Sequence, residues 1–462
     1  MKAAASTLSY PAWIRTHKVS LGVALLCGLA LRLWICLHFA HYGGDSPGYE
    51  KLAENMTAHH AYSIGQAPDL PPTDARMPGY PIFLALVYAI FGKEQQTAVR
   101  IIQGFLDATT ILLTGWIAWQ LSPQATRLVI FAAALQPFTA EYTASILTET
   151  CAIFFSTAAL AFMLDAYRRN KERNWALSGL AAGAAILCRP DCVLLLAGAG
   201  ILILALVVRR IRSGRPALYF SAGLLLLWAP WIVRNLISLR EFQPLANFYA
   251  AEPGEFSPRG FLRWTQTWLA DDRFLDTLLW RVDERPIDFA ALPGSAFDSN
   301  QERNRVRQLI TRYNETLDMS PELDRQFSSI AAARIARHPV KFFLGLPLKR
   351  ALILWFTPHY GIFPLTEELL PLSNLIDDPR ESIWIDVLFL FKALVAVFAV
   401  LALLFSDRWV SLWGAGSILI RTAAMAMLPN TEYRYVLEIF PLLLALAGAG
   451  VWMVFRKGTQ EV

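Results

Sequence analysis

The chain has 462 residues, of which 55% are hydrophobic and only 17% charged, and its mean hydropathy is +0.38. Those values exclude a soluble globular protein of this length and indicate a polytopic membrane protein. The net charge of +5 does not call for nucleic acid, because the excess Lys and Arg collect in short loops between apolar runs, as the positive-inside bias requires. The five cysteines, Cys27, Cys36, Cys151, Cys188 and Cys192, lie in or at the ends of apolar segments, where they serve as small membrane-core residues rather than a disulfide scaffold. Cys188 and Cys192 are spaced C-x3-C with no second pair to complete a zinc site.

Residues 1–18 form a short basic head with Lys2, Arg15 and Lys18, followed by an apolar run from Val19 to Ala40. That run is long enough to cross a bilayer, at about 20 residues, and it lacks the small-residue cleavage site of a signal peptide. It reads as a signal anchor with the N-terminus in the cytoplasm, which puts the polar loop from His41 to Pro81 outside. Within that loop Asp45 to His59 carries helix signals, with Ser46 as N-cap and Pro47 at the first helical position. Arg76 stands before Pro78-Gly79-Tyr80-Pro81, read as a rigid turn. An acid and an arginine on one loop at a membrane surface point to chemistry on a lipid-borne phosphate.

Tyr80 to Phe91 is apolar but too short to span, and reads as an interfacial helix leading into a crossing from Ala98 to Leu121. The chain returns through Leu128 to Phe138, and the polar dent Thr139 to Thr150 contains Glu141 and Glu149 with no Lys or Arg, which places it outside. Crossings from Cys151 to Tyr167, from Trp175 to Leu187, from Val193 to Val208 and from Leu218 to Val233 follow. The third and fourth of these four runs are preceded by Arg189-Pro190-Asp191 and followed by Arg234-Asn235, respectively. Residues 240–383 are largely polar, and Ser320-Pro321-Glu322 starts an amphipathic helix running to about His338.

Phe342 to Trp355 is apolar yet holds Lys349 and Arg350. If it crossed, Glu432-Tyr433-Arg434-Tyr435 would face the cytoplasm and Arg456-Lys457 the outside, against the charge bias. It is therefore read as interfacial or re-entrant. Crossings at Trp384 to Phe405, Val410 to Leu428 and Val436 to Phe455 bring the C-terminus to the cytoplasm. The expected fold is all-α, a bundle of about ten (nine to twelve) transmembrane helices with interfacial helices and an α-rich extracytoplasmic region. Its blocks are 1–239 with the active-site loop 41–81, 240–383 with the interfacial or re-entrant segment 342–357, and the C-terminal membrane helices 384–462.

Six short motifs in chain order carry a resemblance: Asp45-Ser46-x-x-Tyr49-x-x-Leu52-Ala53; Arg76-x-Pro78-Gly79-Tyr80-Pro81-x-x-x-Ala85; Thr148-Glu149; Arg189-Pro190-Asp191; Pro230-Trp231-x-x-Arg234-Asn235; and Glu432-x-Arg434-Tyr435. Together they resemble the GT-C type membrane glycosyltransferases, in the branch that holds protein O-mannosyltransferases and the lipid A aminoarabinose transferase. The sequence departs from the aminoarabinose enzymes at Arg76, where those carry Lys before a Pro-Pro pair.

The resemblance implies a polyprenyl-phosphate sugar as donor and a glycolipid, glycan or protein as acceptor, with the work done on the outer face of a cell membrane, expected to be a bacterial inner membrane. Phosphate is already a good leaving group, so a single carboxylate suffices where glycoside hydrolysis needs two. Asp45 is the candidate base for an inverting transfer; capping of the surface helix is its other reading. Arg76 suits the donor phosphate by its planar fork, against a reading as a snorkelling interfacial side chain. Arg189, Arg434 and Tyr80 are further donor phosphate or sugar candidates, an intramembrane Arg costing about 3 kcal/mol; Arg189 also has Asp191 as a neighbour to pair with. Glu149, Tyr49 and Arg234 are candidates for acceptor or sugar contact, with helix capping the other reading of Glu149.

No cofactor is required by this chemistry, and no motif indicates a divalent cation, which the chemistry leaves open. Asp271-Asp272 and Asp377-Asp378 lack the spaced D-x-D arrangement of metal-dependent sugar transferases. His41, His59 and His60 have no metal-ligand spacing, and Arg32 and Arg421, inside crossings, are candidates for pairing with nearby carboxylates. Two rivals stand beside the transferase: a ligase or polymerase of lipid-linked oligosaccharides, and a transporter or flippase of lipid-linked sugars. A transporter would spread its polar groups between two related halves near mid-membrane, whereas here they gather on one predicted face.

Overall fold

The computed structural model describes residues 10–210, 214–247, 255–270, 274–356, 379–430 and 432–458. The chain divides into two units: Met1–Pro253 with Pro358–Leu419 and Leu437–Val462, and Gly254–Thr357 with Ile420–Val436. The described residues are helical, apart from loops and one isolated parallel bridge between His41 and Ser145.

The first unit opens with α1 (Tyr10–Thr16), α2 (Lys18–His38), α3 (Ser46–His59), α4 (Gly79–Phe91), α5 (Gln96–Leu121), α6 (Thr126–Leu135), α7 (Pro137–Ala140), α8 (Glu149–Arg169), α9 (Glu172–Cys188), α10 (Leu195–Val208) and α11 (Arg215–Ser238). Helix α5 packs against α2, α6 and α8, and α9 against α8 and α11. The α9–α11 seam is close because it is lined by small residues. A Cβ on Gly179 would stand 1.9 Å from the Phe220 carbonyl oxygen, and one on Gly223 2.1 Å from that of Ala176. Such seams replace the hydrophobic drive that lipid removes with backbone-to-backbone contact.

The buried Arg32 ties three elements together. Its Nε donates to Asp107 of α5 at 2.8 Å, and its Nη atoms to the carbonyls of Gly28, Ala133 and Ala134. The carboxylate expected near Arg32 is thus Asp107. Pairing of this kind makes a charge tolerable in a bundle, and removing one partner costs about 3–5 kcal/mol.

In the second unit α12 (Arg259–Gln266), α13 (Asn300–Thr316) and α14 (Pro321–Arg337) enclose an aromatic-rich core that includes Phe261, Trp264, Trp268, Tyr313 and Phe327, and α15 (Leu346–Phe356) follows them in the chain. Helix α14 begins as its sequence indicates: the Ser320 side chain accepts from the Leu323 N–H and Pro321 is the first helical residue. The segment 342–357, expected at the interface or re-entrant, is helical from Leu346 to Phe356 and belongs to this unit. Its Arg350 is buried and donates to the carbonyls of Gln266, Leu269 and Ala426. Arg421 Nε donates to the Tyr435 carbonyl at 2.7 Å. Asp271-Asp272 and Asp377-Asp378 lie outside the described residues.

The chain closes with α16 (Pro379–Phe405), α17 (Arg408–Ala426) and α18 (Phe440–Gly458). Seven helices among the described residues are long and apolar enough to cross a membrane: Lys18–His38, Gln96–Leu121, Glu149–Arg169, Pro190–Val208, Arg215–Ser238, Asp386–Phe405 and Tyr433–Phe455. Helices α6, α9 and α17 occupy the three other places where crossings were expected, and fall short in length or apolarity.

Two local expectations change. Pro78-Gly79-Tyr80-Pro81 is not a turn but the start of α4. The glycine is there for room: a Cβ on Gly79 would lie 2.6 Å from the Leu187 carbonyl group and 2.9 Å from the Cys188 nitrogen. The segment 139–150, a polar dent in the sequence, is not an open loop but is buried throughout. Its polar backbone is satisfied from α5, with Gln103 donating to the carbonyls of Thr143 and Ser145 and Arg100 to that of Ala144.

Candidate active site

Asp45 sits at the N-cap position of α3, one residue earlier than the Ser46 cap expected, yet its side chain makes no cap hydrogen bond. The loop from Thr73 to Pro78 instead carries Arg76 across to it, with Nη2 2.7 Å from Asp45 Oδ1. The Asp45 side chain is 40% exposed and that of Arg76 24%, so the pair lies open at the end of α3. Arg76 Nη1 also donates to its own neighbour's carbonyl, Ala75 O, at 3.0 Å.

Tyr49, one turn into α3, lies beneath the pair, its ring centroid 6.0 Å from the Arg76 guanidinium carbon. Burial pushes its hydroxyl pKa well above the ordinary phenol value; the charges that act on it next are those of Asp45, Arg76, Glu149 and Arg189. One tyrosine therefore joins two ionic clusters that are far apart in sequence. Tyr80 packs edge-on against Tyr49, with ring centroids 5.3 Å apart, and is fully buried, its hydroxyl donating to Gln103. That contact makes Tyr80 part of the wall behind Tyr49.

The second cluster forms where α8 begins and α9 ends. Arg189, in extended conformation after α9, meets Glu149 at 2.6 Å, Asp191 at 3.2 Å and Glu438 at 3.1 Å. The Asp191 contact is the one anticipated from sequence, but Asp191 shares the arginine with two buried acids. Glu149 opens α8 and engages Arg189. Glu438 was not singled out from sequence; its only signal is its place three residues after Tyr435, in the turn leading into α18. With Gly79 packed directly on Leu187 and Cys188, the start of α4 and the loop carrying Arg189 are held against each other by backbone contact.

Arg234 is committed to the loop itself. Its Nη1 donates to Thr73 O at 2.7 Å and to the Asn235 side chain, and its Nη2 to Tyr62 O at 3.0 Å. The guanidinium also lies 5.2 Å from the rings of Tyr62 and Trp231, and the Tyr62 hydroxyl donates to Arg76 O. Arg234 thus braces the stretch of loop that presents Arg76. Arg434 belongs to the second unit, where Glu432 holds it at 2.6 Å and the Tyr435 ring lies 5.7 Å away. Among the described residues no group of three or more His, Cys, Asp or Glu is arranged to hold a metal ion.

In the buried segment 139–150, Glu141 is wholly buried, and neither of its carboxyl oxygens has a hydrogen-bond partner among the described residues. Burial pushes its pKa well above the carboxylate range, and Lys392 of α16, whose Nζ lies 4.6 Å from the Phe138 ring centroid, opposes the shift.

Comparison with known proteins adds to this geometry. Residues 72–233 match the family model described as dolichyl-phosphate-mannose-protein mannosyltransferase; no curated protein sequence matches the chain. Among solved structures, the apo oligosaccharyltransferase of Archaeoglobus fulgidus is 15% identical with a TM-score of 0.50, over 96% of this chain and 51% of that one. The chain therefore spans about half the length of that relative. The same oligosaccharyltransferase in complex with an inhibitory peptide and a dolichol-phosphate is 14% identical with a TM-score of 0.48, over 96% and 51% of the two chains. ArnT from Cupriavidus metallidurans, bound to undecaprenyl phosphate, is 14% identical with a TM-score of 0.40, over 95% of this chain and 78% of that one. The described residues form a helical membrane protein that shares its fold with that oligosaccharyltransferase, and residues 72–233 are similar to the protein mannosyltransferase family.

Proposed function

We propose that this protein is a membrane glycosyltransferase that moves a sugar from a polyprenyl-phosphate donor to an acceptor hydroxyl, with inversion, on the non-cytoplasmic face. The observation that carries the reading is the open Asp45–Arg76 pair at 2.7 Å: one carboxylate able to take a proton beside one guanidinium able to hold a phosphate. Inverting transfer from a phosphate leaving group needs those two functions and little else. Asp45 takes the acceptor proton while Arg76 meets the charge that builds on the departing phosphate.

The roles of the other residues follow from their contacts. Tyr49 floors the pair, Arg234 fixes the loop behind Arg76, and Glu149 with Asp191 and Glu438 supplies acceptor oxygens for sugar or acceptor hydroxyls around Arg189. Three carboxylates around Arg189 make it a poor phosphate ligand, so the donor phosphate falls to Arg76. No cofactor is needed, because the phosphate leaves without protonation.

The test is transfer by the purified protein from a polyprenyl-phosphate sugar, followed by mass spectrometry of the product. Envelope glycolipids and glycans of a deletion strain would name the acceptor. Absence of any sugar-dependent product, with every envelope glycan intact in the deletion strain, would sink the reading. The face of action is checked by labelling single cysteines beside Asp45 in intact cells, where protection from an impermeant reagent would reverse it.

A further inference from the structure

In this structure Asp45 and Arg76 occupy each other. An arginine fork set on a carboxylate cannot offer the same N–H groups to a phosphate, since the two anions compete for one planar donor edge. A carboxylate oxygen accepting a charge-assisted hydrogen bond at 2.7 Å is likewise not available there to a proton. In this contact one carboxylate oxygen of Asp45 and one Nη of Arg76 are committed to each other.

The other arginines of this unit's site are held differently. Arg189 is enclosed by Glu149, Asp191 and Glu438 with its side chain 13% exposed, and Arg234 is tied to Thr73 O and Tyr62 O. Arg76 meets a carboxylate that is itself 40% exposed, over a tyrosine face across which a guanidinium can swing. Exposed ion pairs are weak, because water and salt screen them, so this is the arginine that a phosphate can take.

We propose that Asp45 and Arg76 form a partner-exchange switch: the donor phosphate captures Arg76 and thereby releases Asp45, so that the base is armed only when donor is bound. The inference rests on the glycosyl-transfer reading and adds to it an order of events. Donor binds first, exchanging guanidinium–carboxylate for guanidinium–phosphate. The acceptor oxygen then attacks the anomeric carbon as its proton passes to Asp45, and the bond from that carbon to the phosphate oxygen breaks with its electron pair leaving on the polyprenyl phosphate. When that product departs and Asp45 returns its proton to water, the pair closes again. An unarmed base gives water no help in attacking a donor that has not yet seated.

The experiment is binding of a sugar-free polyprenyl phosphate to the purified full-length protein in lipid nanodiscs. Asp45→Asn removes Arg76's competitor and should bind about 2- to 5-fold more tightly than the native protein, the range that an exposed ion pair spans. Arg76→Ala should bind more weakly, and the double variant no better than Arg76→Ala, because the gain works through the arginine. An Asp45→Asn protein that binds no tighter, or whose gain survives in the double variant, overturns the exchange.

Turnover separates this failure from failure of the underlying reading. Lost turnover with unchanged affinity in Asp45→Asn sinks the switch and leaves the base, whereas normal turnover removes the base. Isotope trapping on the native protein gives a second measure that needs no variant. Labelled donor bound first should be carried into product when acceptor and excess unlabelled donor arrive together; trapping of pre-bound acceptor instead would overturn the order.

Discussion

Two arginine clusters, one in each unit, use the same residue types in different proportion. In the second unit Arg334 and Arg337 both contact Asp298 and Glu302, at 2.5 to 3.2 Å, and Arg334 also donates to the carbonyls of Ser295 and Ala296. Two cations face two anions, and the Ser299 hydroxyl accepts from the Glu302 N–H at the start of α13. In the first unit Arg189 faces three carboxylates, those of Glu149, Asp191 and Glu438. A balanced network ends in itself and locks a fold, whereas one with excess carboxylate keeps acceptor capacity that a substrate's hydroxyls can use. The open Asp45–Arg76 pair is balanced but loosely held, and this is what fits it to change partners.

The largest effect expected is chemical. Asp45→Asn keeps the shape of the loop and should lower turnover by roughly 10² to 10⁴, whereas Glu302→Gln in the balanced cluster should leave turnover per folded molecule unchanged. Steady-state transfer by the two purified variants decides whether the clusters divide into working and structural ones. Turnover loss of equal size in both would erase the distinction.

Next in size is the cost of removing the shared arginine. Arg189→Ala strands three carboxylates, two of them buried, and should cost about 3–5 kcal/mol, partly recovered by adding Glu438→Gln. Arg334→Ala should cost less, because Arg337 still reaches both acids. Denaturation of the two variants in one detergent gives the ranking, and a costlier Arg334→Ala would show that excess charge does not govern stability here.

The third expected effect is on acid stability. In Glu302, burial acts to raise the pKa but hydrogen bonds from Arg337 and Arg334 outweigh it, so the folded value is lowered. A lowered carboxylate contributes stability that is present above its unfolded pKa and lost as pH falls through the folded one. Glu302→Gln should flatten the decline below about pH 4, measured by thermal unfolding across pH; an unaltered acid limb would remove Glu302 from the account.

The smallest effect is expected at Glu141, whose raised pKa works in the opposite direction. Its contribution is full below the unfolded carboxylate pKa and lost as pH rises from there toward the folded value. Glu141→Gln, a neutral isostere, should therefore match or slightly exceed native stability near neutral pH and show a flatter slope. Infrared spectra offer a direct check: a protonated-carboxyl band should vanish in this variant, and its persistence would place the proton elsewhere.

Much of the fold was legible because hydropathy and short-range signals are local. The crossing at Lys18–His38 and the cap at Ser320 are written in consecutive residues, and both stand in the structure. Asp45 and Arg76 could be named from one loop, since an acid and an arginine beside a membrane are chemically conspicuous. Their direct pairing could not, because 31 residues separate them. Glu438 was missed for the same reason: nothing near it in sequence indicates that Arg189 will be its partner. Arg234 and Tyr80 were recognisable as polar groups, but whether such a group faces a substrate or a backbone carbonyl depends on what packs against it.

By itself the sequence determined that this is a helical membrane protein, where most of its helices run, and which acid and which arginine lie on the first polar loop. Those properties follow from the bilayer's demand for apolar, internally hydrogen-bonded segments and from the chemistry of single side chains. Only the tertiary structure decided that segment 139–150 is buried, that Gly79 is required by the backbone of Leu187 and Cys188, and that three acids share Arg189. Each of these depends on groups brought together from distant parts of the chain, and the energy of a charge or a packed glycine is set by its neighbours in space.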